Sequence, residues 1–232
     1  MNQREYQYSS TTLTYNRRIP SNDCQIYDIT VGGDTFSVTV TASPSVAQRW
    51  VDYVISNNER EFNNNTAVVG LGVQWTQTAR LRRSAETVEL CVGKECLIFQ
   101  ISRTDYAPAS LRKLLENRSC TFVVVSEYSH RRMLSLSPLA LQMRSDPVNV
   151  RSVLRMPILN SSLRAFLEGE TSTFTTDIYR YTDWRVETLS DEQVLHASIQ
   201  VRIAYLLGIF PQWVAAHGGV TGGTQQDTAE LG

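Results

Sequence analysis

Residues 120–125 read Cys-Thr-Phe-Val-Val-Val, a nearly unbroken apolar run. Such a run is the mark of a strand covered on both faces, which points to a sheet sandwiched between helices. Working backward, Ala67–Trp75 (AVVGLGVQW) reads as a second buried strand. Thr87–Val92 and Glu95–Ile101 read as a hairpin, with Gly93-Lys94 as its two-residue turn. Glycine at the first central position suits a type II′ turn, which sets Cys91 and Cys96 face to face across the two strands. Earlier still, Gln25–Val31 and Thr35–Ala42 alternate as strands around the loop Gly32-Gly33-Asp34. Ser43-Pro44 then opens a helix, serine as N-cap and proline at the first helical position, with Val46, Trp50, Val51, Val54 and Ile55 on one face. Residues 57–65 read as a polar loop and Ser110–Glu116 as a short helix.

Forward of the run, helical pattern covers Ser129–Leu136, Val150–Arg155, Ser162–Glu168 and Ser190–Leu207. The last begins with Ser190-Asp191-Glu192-Gln193, a capping box. Strands followed by a helix, a further strand and more helices predict an α/β layered domain. Residues 1–23 are polar and are expected to be a flexible arm. Residues 24–215 form the domain, and the glycine-rich residues 216–232 a disordered tail.

The chain has 232 residues and a formal charge of −1, with 42% hydrophobic residues, enough for one buried core. The balance argues against a globally basic nucleic-acid binder. Of the 22 basic residues only Lys94 and Lys113 are lysines, and arginine favours bidentate phosphate and carboxylate contacts. No apolar run approaches the roughly 20 residues of a spanning helix, and Met1–Ser10 lacks a hydrophobic segment. An intracellular location, cytoplasmic or nuclear, is expected, with no membrane partner. The four cysteines, Cys24, Cys91, Cys96 and Cys120, are then read as reduced thiols, with a redox-sensitive Cys91/Cys96 pair as the secondary reading.

The ordered set AVVGLGVQW, TVELCVGKECLIFQI, CTFVVVSEYSHRRML and TDWRVETLSDEQVLHASIQVRIAYLLG resembles the DnaQ-like (DEDDy) 3′–5′ exonucleases. It is most similar to the small plant proteins akin to the Werner syndrome exonuclease domain. The resemblance implies a ribonuclease H-like fold: a mixed five-stranded sheet flanked by helices, here with an extra N-terminal β-hairpin. It also implies two-metal hydrolysis, in which a pair of Mg²⁺ or Mn²⁺ ions held by four carboxylates clamps the attacking water and the leaving oxygen.

This chain departs from the family at each catalytic position. The Asp-x-Glu of the first strand is matched by Gly72 and Gln74, and the second aspartate by His130. The tyrosine and aspartate of the last helix are matched by His196 and Gln200. Around His130 the register can shift by one, which makes Glu127 the nearest spare carboxylate. Neither Mg²⁺ nor Mn²⁺ is expected to bind, and a pseudoexonuclease is predicted. A zinc site on His130 and His196 is a poor alternative, because structural zinc wants four ligands.

Arg80, Arg82 and Arg83 lie in the loop after the first core strand, and Arg131 and Arg132 follow His130. They read in two ways. They hold single-stranded RNA or DNA through phosphates, with Trp75 or Tyr128 stacking a base, or they are solvated and paired with Glu86, Glu89 and Glu127. Asp183 and Trp184 are read as structural. Three functions follow. The first is a self-assembling regulatory protein, as a homo-oligomer or with active relatives, using the apolar segment Ile203–Val214 with Phe210 and Trp213. The second is a non-cleaving single-strand binder. The third is a weakly active metal-dependent exonuclease using Glu127 and the histidines.

Overall fold

Strand β5 (Ala67–Gln74) lies at the centre of the core sheet, and all eight of its residues are buried. The computed structural model describes residues 2–8, 11–21, 23–31, 33–76, 84–125, 129–150 and 182–217. Its description of side chains covers 23–31, 33–76, 84–125, 129–150 and 182–210. The expected helices at 150–155 (past Val150) and 162–168, and the tail from residue 218 onward, lie outside these residues.

From β5 the chain turns back through β6 (Thr87–Val92) and β7 (Glu95–Phe99), both pairings antiparallel. The β6–β7 turn places Gly93 at φ +59°, as a type II′ turn requires. A short 3₁₀ turn (Ile101–Arg103) and a helix, numbered α3 below, carry the chain to the other side of β5. There β8 (Cys120–Val124) pairs parallel to β5, and the two-residue β9 (Val148–Asn149) pairs parallel to β8. The spatial order β7-β6-β5-β8-β9, with β6 reversed, is the ribonuclease H-like arrangement.

The sheet does not stop at β7. β3 (Cys24–Val31) and β4 (Asp34–Thr41) form the expected hairpin, and β4 joins β7 in parallel. Beyond them lie β1 (Asn2–Tyr8) and β2 (Thr11–Ser21), paired antiparallel and continuing from β3, which brings the sheet to nine strands. Residues 2–8 and 11–21, within the stretch expected to be an arm, are thus paired strands. The composition there is polar, but Thr and Tyr suit strands, and the open edge of β3 supplies backbone partners. The β2–β3 register slips between Arg18 and Ser21, where Pro20 has no N–H to give.

Helices cover both faces. On one lie α1 (Pro44–Asn57), α3 (Ala109–Leu115) and α4 (His130–Ser135). Trp50, Val51 and Val54 of α1 and Leu111 and Leu114 of α3 pack with Val69, Leu71 and Val73 of β5. A one-turn helix, α2 (Glu59–Asn63), interrupts the expected polar loop and buries Phe62. On the other face lies α5 (Asp191–His217), whose Val194, Ala197, Val201, Ala204 and Leu207 pack with Val68, Cys91, Ile98 and Val123.

Ser190 and Gln193 close the capping box reciprocally, Ser190 N to Gln193 Oε1 at 2.8 Å and Gln193 N to Ser190 Oγ at 3.3 Å. α5 runs past its expected end at Leu207, so Phe210 lies within the helix and packs against the second core. By length and composition alone α5 could cross a membrane; here it lies along the sheet, mostly buried.

Candidate functional site

Alternation along β5 divides its side chains between the two layers. Gly70, Gly72 and Gln74 face α5. The glycines set how near the helix comes. A Cβ on Gly70 would collide with the Val201 carbonyl oxygen and stand 3.0 Å from the Tyr205 nitrogen. A Cβ on Gly72 would stand 2.6 Å from Glu89 Oε2 and 2.8 Å from Val201 Cγ1. At Gly70 the obstacle to even an alanine is the backbone of α5, whereas at Gly72 the Glu89 and Val201 side chains would have to shift. Gly72 does more than lack a carboxylate: its bare Cα makes room for the helix.

One step along the strand, Gln74 Nε2 donates to Gln200 Oε1 at 3.0 Å. Gln74 is nearly buried. Two positions that carry metal-binding carboxylates in the family of the resemblance are thus joined directly, amide to amide. His196 sits one turn before Gln200, at i and i+4 on a shared helix face. Its ring centroid is 6.5 Å from that of Trp184, and burial pushes its imidazole down to about 4. The ring is neutral at ordinary pH. His130, 2% exposed, begins α4, after the end of β8. Glu127, the spare carboxylate of the alternative register, lies outside the described residues.

Glu89 is expected from the sequence as a partner for the arginines. The structure instead sets it opposite Gly72 in the register, fully buried, on the face toward α5. Thr87 Oγ1 donates to its Oε1. Oε2 has no hydrogen-bonding partner among the described residues. Burial pushes the carboxyl up to about 8, against the smaller opposing pull of the Thr87 hydroxyl. Glu89 is therefore predominantly protonated near neutral pH. A signal was available: a glutamate inside TVELCV, on a strand flanked by strands and covered on both faces, has no route to water. Among the described residues no three His, Cys, Asp or Glu side chains come together as a metal-binding group.

The base of the site is held by a polar knot. Thr76 takes the Trp184 N–H at 2.9 Å, and its hydroxyl lies 3.0 Å from Asp183 Oδ1. Its backbone N–H donates to Glu86 Oε2 at 2.7 Å. Asp183 accepts the Arg185 backbone N–H at 2.9 Å and its Nε at 3.1 Å, and these bonds hold its carboxyl below the usual range. Gln193 Nε2 donates to the Asp183 carbonyl at 3.0 Å, and Trp184 is 1% exposed. Asp183 and Trp184 thus anchor the entry to α5.

Of the residues read as strand contacts, Trp75, Arg131 and Arg132 are among the described residues. Trp75 packs against the core on the opposite face of the sheet. Arg131 lies 3.6 Å from Asp146, with both side chains exposed, and Arg132 is exposed on the same short helix. Arg80, Arg82, Arg83 and Tyr128 lie outside the described residues.

No protein-family model matches the chain, and no curated protein matches it. Solved structures do. The exonuclease domain of EXD2, from a crystal soaked in Mg and GMP, is 16% identical with a TM-score of 0.42 over 82% of this chain and 99% of that one. The same domain without a soak scores 0.40 at 16% identity, over 80% and 96% of the two chains. RNase D of Escherichia coli, an exoribonuclease involved in structured RNA processing, scores 0.46 at 16% identity, over 71% of this chain and 42% of that one.

Proposed function

We propose that this chain is a catalytically silent member of the DnaQ-like 3′–5′ exonuclease family that works by association, with itself or with active relatives. The observation that carries this reading is the Gln74–Gln200 hydrogen bond beside the closed space at Gly72. A two-metal site needs oxygen ligands with negative charge to repay dehydration of the ions. Here the strand and helix positions present neutral amides joined to each other by a hydrogen bond. Glu89, opposite Gly72 in the register, is fully buried and predominantly protonated near neutral pH.

An associating role is supported by the sheet; the Trp213 side chain, near the end of α5, lies outside the described side chains. Phe210 packs within the chain, whereas β1 is an edge strand of seven residues without proline. Such an edge is a ready template for another strand. The test pairs a single-strand nuclease assay in Mn²⁺ with a mass measurement in solution. The reading expects no shortening of the strand and a mass above that of one chain. A monomer that trims the strand would overturn it.

A further inference from the structure

The β6–β7 hairpin carries two thiols that the proposed function does not use. Its turn is Gly93-Lys94, so Val92 and Glu95 close the loop and Cys91 and Cys96 form the next pair, directly opposite. In a two-residue hairpin the closing pair is hydrogen-bonded and the next is not. At a non-hydrogen-bonded pair the Cα atoms stand about 4.5 Å apart and the side chains lean together. That spacing lies within the roughly 4.4–6.8 Å that a disulfide spans. Both cysteines point to the α5 face, both are fully buried, and neither is bridged. The Cys96 thiol is hydrogen-bonded with that of Cys91, and Cys91 Sγ lies 3.8 Å from the Gly93 carbonyl oxygen.

We infer that Cys91 and Cys96 are a built-in dithiol site that closes to a cross-strand disulfide under an oxidising low-molecular-weight disulfide such as glutathione disulfide. In the first step one thiolate attacks a glutathione sulfur, forming a mixed disulfide and releasing one glutathione thiol. The second cysteine then attacks the protein sulfur of that mixed disulfide. The Cys91–Cys96 bond forms, the mixed bond breaks, and a second glutathione leaves. Two thiol protons and two electrons pass to the two glutathiones.

Arg202 stands beside the pair and donates to the same Gly93 carbonyl; burial and the neighbouring Cys91 thiol nevertheless hold the Cys96 thiol well above its ordinary value, so thiolate attack waits on exposure of the pair. The bond leaves backbone register intact, because the two residues are already partners. What changes is the turn: Cys91 gives up its contact with Gly93, and the hairpin under α5 becomes covalently closed. Burial beneath α5 makes the native reaction slow and dependent on local opening. Cys24 at the start of β3 and Cys120 on β8 have no cysteine as a register partner.

The experiment incubates the full chain in graded reduced and oxidised glutathione, in two arms. One arm stays native; the other is unfolded and refolded in the same buffers, so access no longer limits exchange. After alkylation, peptide mapping locates the linked cysteines in the wild type and in Cys91→Ser and Cys96→Ser. The expected result is a Cys91–Cys96 linkage in the refolded arm, appearing more slowly in the native arm, and absent from both variants. Two results overturn the inference. In one, both cysteines remain alkylatable in the refolded arm at oxidant levels that modify Cys24. In the other, either links mainly to Cys24 or Cys120.

Discussion

The side-chain amide of Gln74 donates to the side-chain oxygen of Gln200 at 3.0 Å, joining β5 to α5 across 126 positions of chain. Each partner occupies a place where the family of the resemblance has a carboxylate. Two carboxylates at this distance repel unless a cation lies between them; two amides attract without one. The pair is therefore self-sufficient, and α5 can settle onto β5 with no ion to complete the contact.

Replacing Gln74 by Glu and Gln200 by Asp together should turn this attraction into repulsion. The expected loss is about 1–3 kcal/mol at pH 7, read by urea denaturation. Either single change should cost less than the double, because the other amide can still donate. A double variant as stable as the wild type would show that the pair contributes nothing to docking of α5.

Gly72→Asp, the first step in rebuilding a metal site, is expected to fail structurally. Its Cβ meets Glu89 Oε2 and Val201 Cγ1, and its carboxylate would be buried without a partner. Overpacking plus an uncompensated buried charge should cost about 3 kcal/mol or more. Gly70→Ala should also destabilise, since the obstacle there is backbone of α5. Thermal melts of the two variants check this, and an unchanged midpoint for either would contradict the packing.

Glu89 gives the fold a falling stability toward alkaline pH. Its folded value, about 8, lies above the ordinary value of 4.5, so between the two the folded chain holds a proton that the unfolded chain has lost. The stabilisation is complete below about 4.5 and is lost as pH rises through 8. Glu89→Gln keeps an oxygen for the Thr87 hydroxyl and removes the titration. The variant should outlast the wild type by more than about 1 kcal/mol at pH 9, with a shallower decline from pH 5.

His196 works in the opposite sense. Its folded value, about 4, lies below 6.5, so the unfolded chain takes the proton first and stability falls as pH drops from 6.5 toward 4. His196→Gln should flatten that acid limb, which denaturation at pH 4.5 and 7 would show.

Arg202 fastens α5 to the N-terminal hairpin. Its Nε and Nη2 reach Asp34 Oδ2 and Oδ1 at 2.7 and 2.9 Å, and its guanidinium lies 5.8 Å from the Phe36 ring centroid. Removing one member of a pair buried this deeply typically costs about 3–5 kcal/mol. Arg202→Ala should lie near the lower figure, because the Asp34 side chain is 29% exposed and can rehydrate. Arg202→Met combined with Asp34→Asn should recover part of the loss in a double-mutant cycle.

What the sequence made legible was local. The strands β3 to β8, helix α1 and the Ser190–Gln193 box follow from residue alternation, helical spacing and capping chemistry within a few positions. What it hid was long-range. The pairing of β1 and β2 depends on an edge offered by β3, which polar composition does not reveal. α5 passes Pro211, although proline has no N–H for the helix ladder. Packing along the sheet up to Phe210 outweighs that loss. The burial of Glu89 needs the sheet order, and the Gln74–Gln200 bond needs the whole fold.

The most direct test of the account is a single-strand 3′ trimming assay of the purified chain in Mn²⁺, run beside the His196→Ala/Gln200→Ala double variant. The account predicts no shortening of RNA or DNA by either protein. Mn²⁺-dependent shortening by the wild type that disappears in the variant would contradict it, because it would place working chemistry at the positions where the amide pair closes the site.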